Sequence, residues 1–190
     1  MSATATTAPT ATHAAGAGGG APAAQPGMSS QYLIFSLGGE SFAVGTLGVR
    51  EIIEYGHLTA VPMVPGFIRG VINLRGAVVP VIDLNARFGR TRTEASRRTC
   101  IVILEIQAED DRHVLGIIVD AVSAVRQIDR AQIEPAPSFG TRIRADFIAG
   151  MAKVNKGFVI LLDLGRVLSM DELAELRALA PEAAPDHADR

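Results

Sequence analysis

The sequence predicts a mainly β protein, and three observations carry this prediction. Short runs rich in Val, Ile and Phe recur along the chain, with Gly, Pro or Asn turn signals between them. Helical patterns of about 10–15 residues, which would alternate with the strands of an α/β sheet, are missing. Apolar residues make up 48% of the 190 residues, which is enough for a sizeable core. Such short strands are typical of a barrel or a sandwich, and the folded part suits two packed five-stranded barrels.

The first folded segment is predicted to be a β-hairpin. Residues 31–37 place alternate apolar side chains on one face of a strand, Gly38-Gly39 suits a two-residue turn, and residues 40–44 form the return strand. A short helix is then predicted near residues 48–54, because apolar side chains recur there at helical spacing.

A second hairpin, residues 67–84, is the most informative segment. Two strands rich in Val and Ile flank the polar corner NLRG at residues 73–76. Gly76 permits a tight reversal, and Arg75 is left at the bend. No acid–base pair or metal-ligand cluster accompanies this hairpin, which favours holding a partner over transforming a substrate.

An arginine-rich connector at residues 86–98 divides the predicted strands into two groups, and we interpret it as a solvated linker. Near the end of the chain, Ser169 and Glu172 form a capping box that predicts a helix through Leu179. Between the connector and this helix, strands are predicted at residues 100–106, 113–119, 122–128, 147–154 and 158–164.

Both termini are predicted to be disordered, over residues 1–28 and 180–190. The first segment consists mainly of Ala, Thr, Gly and Pro and has no charged side chain. It therefore buries too little apolar area to offset the entropy of ordering it. Met28 stands where this composition ends and is an alternative start, and the sequence does not decide between the two.

The composition argues against several functional classes. The net charge of −2 gives no reason to expect nucleic-acid binding, and no apolar run is long enough to cross a membrane. The chain begins without a secretion signal, and the single Cys100 suits a reducing compartment, so we expect a cytoplasmic protein. Neither a nucleophile–base pair, a phosphate-binding loop nor a zinc-ligand spacing occurs, so no catalysis, metal or cofactor is expected.

Two charged residues are candidates for partner binding. Arg75 offers a planar group of five donors on a rigid turn. The alternative is a solvated arginine, or one paired with a carboxylate such as Asp83. Glu51 is either a solvated surface charge or a rim charge that orients a protein partner.

Four further residues have a structural and a functional interpretation. Gly70 and Gly116 lie within predicted strands, where a glycine marks either a bulge or the close approach of another chain. Cys100 alternates with its neighbours in a strand and is expected to pack in the core rather than to act as a reactive thiol, which needs an electropositive, exposed setting. Asp120 follows a strand end as a phosphoacceptor aspartate does, but the early acidic pair and alternating βα pattern of a phospho-receiver are missing, so it is expected to have a structural role in a turn.

The sequence resembles the CheW family, the coupling proteins of bacterial chemotaxis arrays. The resemblance rests on GVINLRGAVVPVIDL at residues 70–84, and further stretches match in the same order along the chain. These are QYLIFSLGGESFAV at 31–44, VREI at 49–52, GIIVDAVSAV at 116–125 and IEPAP at 133–137.

The resemblance implies that residues 31–179 form two intertwined SH3-like barrels with a groove between them. It also implies a non-catalytic adaptor whose partners are the regulatory domain of the histidine kinase CheA and the cytoplasmic tip of a chemoreceptor, in arrays beneath the inner membrane. The residues implied at the kinase contact are Val49, Glu51 and Gly70, and those implied at the receptor are Arg75, Cys100, Gly116 and Val125.

Two other functions remain open from the sequence. One is a small-ligand sensor whose groove holds a purine-like molecule. The other is an enzyme, which is less favoured because no catalytic pair of residues can be named.

Overall fold

The computed structural model describes residues 29–108, 111–136, 143–154 and 157–179. Both predicted terminal tails lie outside these ranges. So do Pro137 and the Asn155-Lys156 corner of the last predicted hairpin.

Within the described ranges, the chain is built mainly from strands. The strands are β1 (Ser29–Leu37), β2 (Glu40–Gly45), β3 (Val49–Glu54), β4 (Ile68–Leu74), β5 (Ala77–Asp83), β6 (Cys100–Ala108), β7 (Asp111–Val119), β8 (Ala121–Asp129), β9 (Ile133–Glu134), β10 (Ile148–Val154) and β11 (Gly157–Leu162). The helices are α1 (Leu84–Arg87), α2 (Leu164–Val167) and α3 (Met170–Leu179), and short 3-10 turns occur at Thr46–Gly48, Arg130–Gln132 and Ala145–Phe147.

The strands form two mixed sheets whose chain segments are intertwined. The six-stranded sheet has the order β8-β1-β2-β11-β10-β9, and the five-stranded sheet has the order β3-β6-β7-β5-β4. The first two strands of the chain therefore pair with the last four, and the middle of the chain forms the other sheet. This confirms the mainly β prediction. One sheet has six strands rather than five, because β9 adds a two-residue pairing at its edge.

Each sheet curls around a small apolar core of its own. In the five-stranded sheet, this core contains Val81, Ile101 and Ile103, and the chain after β3 closes the curl through an antiparallel bridge between Thr59 and Val71. The largest apolar cluster, which we call the inter-sheet core, lies between the two sheets and draws side chains from both. The two curled sheets are therefore joined by a shared apolar layer.

The predicted helix near residues 48–54 is wrong, because this segment is the edge strand β3. A register shift between Val49 and Glu51 places Val49 and Ile52 opposite Leu104 and Val102, which both belong to the inter-sheet core. The β-bulge thus puts two apolar residues three positions apart on one face of a strand. That spacing resembles one helical turn in the sequence.

The chain contains an internal repeat, with one copy in each sheet. The segment FIRGVINLRGAVVPVIDL at 67–84 recurs in outline as FIAGMAKVNKGFVILLDL at 147–164. In both copies the antiparallel register shifts just before a glycine, Gly70 or Gly150. In both copies the N–H of the final aspartate donates to the carbonyl of the first phenylalanine, at 2.8 and 2.9 Å. Each sheet therefore has an equivalent hairpin followed by a short helix.

The arginine-rich connector is a solvated linker only in part, because Phe88 and Thr93 are buried while residues 94–98 are exposed. It joins β5 to β6 within the five-stranded sheet, and Asp83 at the end of β5 holds it. The fully buried Asp83 carboxylate accepts hydrogen bonds from the Thr93 N–H at 2.8 Å and from Arg69 Nη1 at 3.0 Å. It also caps α1 by accepting from the Asn85 N–H at 3.0 Å. A buried carboxylate is tolerated because donors surround it.

Arg87 in the connector joins segments that are far apart in the sequence. Its guanidinium carbon lies 4.7 Å from the ring centre of Phe67 and 5.4 Å from that of Phe147. Its Nε donates to the carbonyl of Val167 at 2.8 Å, and its Nη2 donates to Glu172 at 2.9 Å. Cationic groups over aromatic faces are stabilised when they are desolvated, so the partly buried Arg87 joins the hairpin segments that begin with FIRG and FIAG to α3.

The predicted turn and cap signals are confirmed. Gly38 and Gly39 both have positive φ and connect β1 to β2. The capping box exists, since the Ser169 N–H donates to Glu172 Oε2 at 2.7 Å and the Glu172 N–H donates to Ser169 Oγ at 3.2 Å. Asp120 has its expected turn role and accepts a hydrogen bond from the Gly38 N–H.

Candidate functional site

The seven residues implied by the resemblance fall into three structural groups. The first is a charged pair at the end of the five-stranded sheet, Glu51 and Arg75. The second lies at the border of the inter-sheet core and consists of Val49, Cys100 and Val125. The third consists of the buried glycines Gly70 and Gly116. Each group contains residues implied at the kinase and residues implied at the receptor, so the groups do not separate the two contacts.

The charged pair links the edge strand β3 to the β4–β5 turn of the five-stranded sheet. Arg75 sits at the β4–β5 turn with φ of 53°, and Gly76 follows with φ of 89°. The Asn73 side chain accepts a hydrogen bond from the Gly76 N–H at 2.9 Å, which fixes the turn. Arg75 Nη2 lies 3.1 Å from Glu51 Oε2 on β3. Glu51 is thus on a strand rather than on the outer face of a helix.

The pairing of Arg75 differs from the alternative considered from the sequence. Asp83 is not its partner, because that carboxylate is buried and bound to Arg69. The Arg75 side chain is 80% exposed, whereas that of Glu51 is 25% exposed. An ion pair this exposed stabilises the fold only weakly, so the guanidinium keeps most of its surface available to a partner.

A second charged network lies next to Glu51. Glu105 on β6 contacts both Arg50, through a 2.8 Å hydrogen bond from Nε, and Arg112, whose Nη1 lies 3.3 Å from Oε1. The hydrogen bond from Arg50 holds the pKa of Glu105 below its ordinary value, and the positive charge of Arg112 adds to this effect. Glu105 therefore stays ionised between two arginines.

Five apolar residues lie at the border of the inter-sheet core, and we call this set the core border. It consists of Val49, Ile52, Cys100, Val122 and Val125. Val49, Cys100 and Val122 pack against the inter-sheet core and remain partly exposed.

The two outermost members of the core border lie on edge strands. Ile52 on β3 pairs with Val102, and Val125 on β8 pairs with Leu33, so both side chains are on the face of the inter-sheet core. They are nevertheless 42% and 54% exposed. The apolar layer between the sheets therefore continues to the surface at these strands.

Gly70 and Gly116 are buried and shape the backbone. At Gly70, φ is 142° and an added Cβ would lie 2.3 Å from the carbonyl oxygen of Thr59. At Gly116, an added Cβ would lie 2.7 Å from Ile101 Cγ2 and 3.2 Å from Val81 Cγ2. Gly70 is accompanied by the bulge considered from the sequence, and the chain that approaches it closely is its own.

The structure also shows exposed apolar residues that were not identified as candidates from the sequence. Leu47 in the turn before β3 and Met63 in the following loop are fully exposed, and Phe158 on β11 is 60% exposed. Exposure of this kind has no local sequence signal, because the same side chains would suit a core.

Within the described ranges, no cluster of three or more His, Cys, Asp or Glu side chains is placed to hold a metal ion. None of the helices described there is long and apolar enough to span a bilayer.

Comparison with known proteins gives one consistent result. Residues 31–172 match the model of the CheW-like domain. The chain belongs to the CheW-like family. Chemotaxis protein CheW of Klebsiella aerogenes is 35% identical over 147 residues, covering 77% of this chain and 86% of that protein. Protein FrzA of Myxococcus xanthus is 30% identical over 160 residues, covering 83% of this chain and 95% of that protein.

A solved structure supports the same CheW-like assignment. The crystal structure of the scaffolding protein TtCheW from Thermoanaerobacter tengcongensis matches with a TM-score of 0.68 and 35% identity, covering 80% of this chain and 96% of that one. The match to the CheW-like domain contains all seven candidate residues. None of these comparisons supports the small-ligand sensor.

Proposed function

We propose that this chain is a chemotaxis adaptor that couples chemoreceptors to the histidine kinase CheA by binding both without catalysis. The observation that carries this function is the match to the CheW-like domain over residues 31–172, with relatives named as chemotaxis and scaffolding proteins. The adaptor works beneath the inner membrane, in the cytoplasm, at the receptor array.

The edge strand β3 of the five-stranded sheet is the proposed contact for the regulatory domain of CheA. Glu51 presents a carboxylate there, beside the half-buried Val49. Gly70 is buried, so its part in this contact is to hold the Thr59 segment in place rather than to touch the kinase. A contact of this class buries on the order of 1,000–1,600 Å².

Arg75 and the part of the core border formed by Cys100 and Val125 are the proposed contacts for the receptor tip. Val125 and Cys100 offer apolar surface continuous with the inter-sheet core, and Arg75 offers an exposed guanidinium. A partner that covers the core border buries apolar area, while Arg75 orients it. Gly116 acts indirectly, because it lets β7 lie close to Ile101 in the separate core of the five-stranded sheet.

Coupling then needs only differential binding. An adaptor that contacts the active and inactive forms of the kinase unequally shifts the balance between them by that difference in binding free energy. The shared inter-sheet core supports this role, because it joins the proposed kinase contact to the proposed receptor contact through packed side chains.

Arg75→Glu tests the proposal, because it reverses the charge of an exposed side chain and places a carboxylate opposite Glu51. We expect an unchanged circular dichroism spectrum and at least a tenfold loss of receptor-dependent kinase activity. Arg97→Glu is the matched control, since Arg97 is an exposed arginine of the connector. Normal coupling by the Arg75 variant, in a protein that is folded, would contradict this assignment of the site.

A further inference from the structure

The strands at the edges of the two sheets differ in how they are protected. Edge strands expose unpaired N–H and C=O groups, and proteins usually shield them. In the five-stranded sheet, Thr59 bridges Val71 on β4, and β3 has a β-bulge and three charged residues. In the six-stranded sheet, β9 has only two residues. The remaining edge strand, β8, has nine residues.

The outer edge of β8 is open. One edge of β8 pairs with β1, and in the described part of the chain nothing pairs with the other. After a register shift beside Ser123, residues 124–129 pair with β1 without interruption, and most of their side chains are exposed. Alternate residues of an antiparallel strand direct their N–H and C=O groups to opposite edges, so about half of these residues point outward. A further strand therefore has backbone donors and acceptors to pair with.

The side chains along this edge define the chemistry of an added strand. Val125 lies on the face of the inter-sheet core and is 54% exposed, so it favours an apolar neighbour. Arg126 pairs with Tyr32, which packs against the six-stranded sheet's own core on the opposite face. Arg126 is exposed, and no carboxylate among the described residues forms an ion pair with it. An added strand that places a carboxylate opposite Arg126, between apolar residues, matches both faces.

We infer that the open edge of β8 binds an extended, acidic segment of a partner protein, which adds a strand to the six-stranded sheet. In this mode, main-chain hydrogen bonds give affinity and alternate side chains give specificity. The site uses the main-chain edge of β8, whereas the contact proposed above for the receptor uses side chains. The inference does not depend on the adaptor function.

Two other occupants of this edge fit less well. A second copy of the chain, paired antiparallel over the same residues 124–129, would place Gln127 opposite Arg126 and would supply no carboxylate there. Residues 1–28 of the chain itself contain no Asp or Glu. A partner segment with a carboxylate is therefore the occupant that complements Arg126.

Titration of the full-length, ¹⁵N-labelled protein with the blocked peptide Ser-Thr-Val-Glu-Val-Thr-Ser tests the inference. At a peptide concentration about nine times the dissociation constant, about one tenth of the protein is free, so the outward amides of residues 124–129 should exchange with solvent about tenfold more slowly. The newly protected amides should alternate along β8, because the others already bond to β1. Protection without alternation, or no saturable binding below about 10 mM peptide, would overturn the inference.

A charge exchange tests the role of Arg126. The peptide with Lys in place of Glu should bind the unmodified protein about fivefold more weakly. Arg126→Glu should reverse this preference, so that the Lys peptide binds better than the Glu peptide. Arg97→Glu is the matched control, because Arg97 is an exposed arginine of the connector, and it should leave the preference unchanged. Equal affinities of the two peptides for the unmodified protein would contradict the pairing with Arg126.

Methylation of one peptide nitrogen separates strand addition from docking of side chains alone. We compare a peptide methylated at the Glu nitrogen with one methylated at the nitrogen of the following Val. One should bind at least about fivefold more weakly than the other, because only alternate N–H groups of the peptide face β8. Equal losses would overturn the inference. So would protection of β8 that rises with protein concentration without peptide, since it would assign this edge to a second copy.

Discussion

Gly70→Ala should destabilise the protein strongly, because the new methyl group has no space. The added Cβ would lie 2.3 Å from the carbonyl oxygen of Thr59, which is a backbone atom, and φ at this position is 142°. To relieve this clash, the Thr59 segment has to move away from Val71, and this movement breaks two backbone hydrogen bonds of 2.9 Å each. Overpacking costs about 1–3 kcal/mol, and each lost hydrogen bond costs about 1 kcal/mol. We therefore expect a loss of about 3 kcal/mol or more.

Two other glycines provide a graded comparison in the same urea-unfolding experiment. At Gly150, the equivalent position of the internal repeat, an added Cβ would lie 2.5 Å from the Ile133 side chain and 3.0 Å from the Glu134 carbonyl. Ile133 has some freedom to move, so Gly150→Ala should cost about 1–2 kcal/mol. At Gly45, nothing lies within 4 Å of an added Cβ, and Gly45→Ala should stay within about 0.5 kcal/mol of the unmodified protein.

The order of these three variants is the test. If the free energy of unfolding of Gly70→Ala lay within about 0.5 kcal/mol of that of Gly45→Ala, the argument from Thr59 would be wrong. The same variant also bears on the kinase contact. Kinase binding that falls in proportion to the folded fraction of Gly70→Ala would show that this glycine acts through the shape of the sheet.

Three further predictions concern other parts of the fold. Met63→Asn should raise the free energy of unfolding by about 0.5 kcal/mol, whereas Met63→Ala should not, because Met63 has φ of 60° and Asn tolerates that backbone region better. Equal urea midpoints for the two variants would contradict this prediction. Ionised Glu105 contributes stability above its unfolded pKa, and this stability is lost as the pH falls through its lowered folded pKa. Below about pH 4.5, Glu105→Gln should therefore lose stability less steeply than the unmodified protein. Parallel curves of unfolding free energy against pH for the two proteins would rule the effect out. Arg87→Lys should speed proteolysis within α3 several-fold, since an ammonium lacks the planar group that donates to Val167 and to Glu172 from two separate nitrogens. Cleavage at the original rate would refute this role of Arg87.

Much of the β architecture was predictable because its signals are local. Gly38-Gly39 adopts positive φ as two-residue turns require, and the NLRG corner reverses the chain between β4 and β5. The capping box at Ser169 likewise depends on residues three positions apart. In each case the responsible atoms lie within a few residues of one another.

One interpretation failed and one holds only in part, because both depend on distant contacts. The β3 segment looked helical, and only its bulged pairing with β6 explains why Val49 and Ile52 share a face. The connector was interpreted as a solvated linker because arginine is usually exposed, and this holds only for part of it, such as residues 94–98. Arg87 is instead held by two aromatic rings from the two copies of the internal repeat.

The sequence by itself determined the strand content, the turns and the membership of the CheW-like family, since these depend on short-range patterns and on residues read in order. Only the tertiary structure decided which candidates meet. It pairs Glu51 with Arg75, brings the core border to the surface at two edge strands, and buries Gly70 against Thr59. The physical reason is that the chain exchanges strands between its two sheets, so neighbours in space come from segments that lie far apart along the sequence.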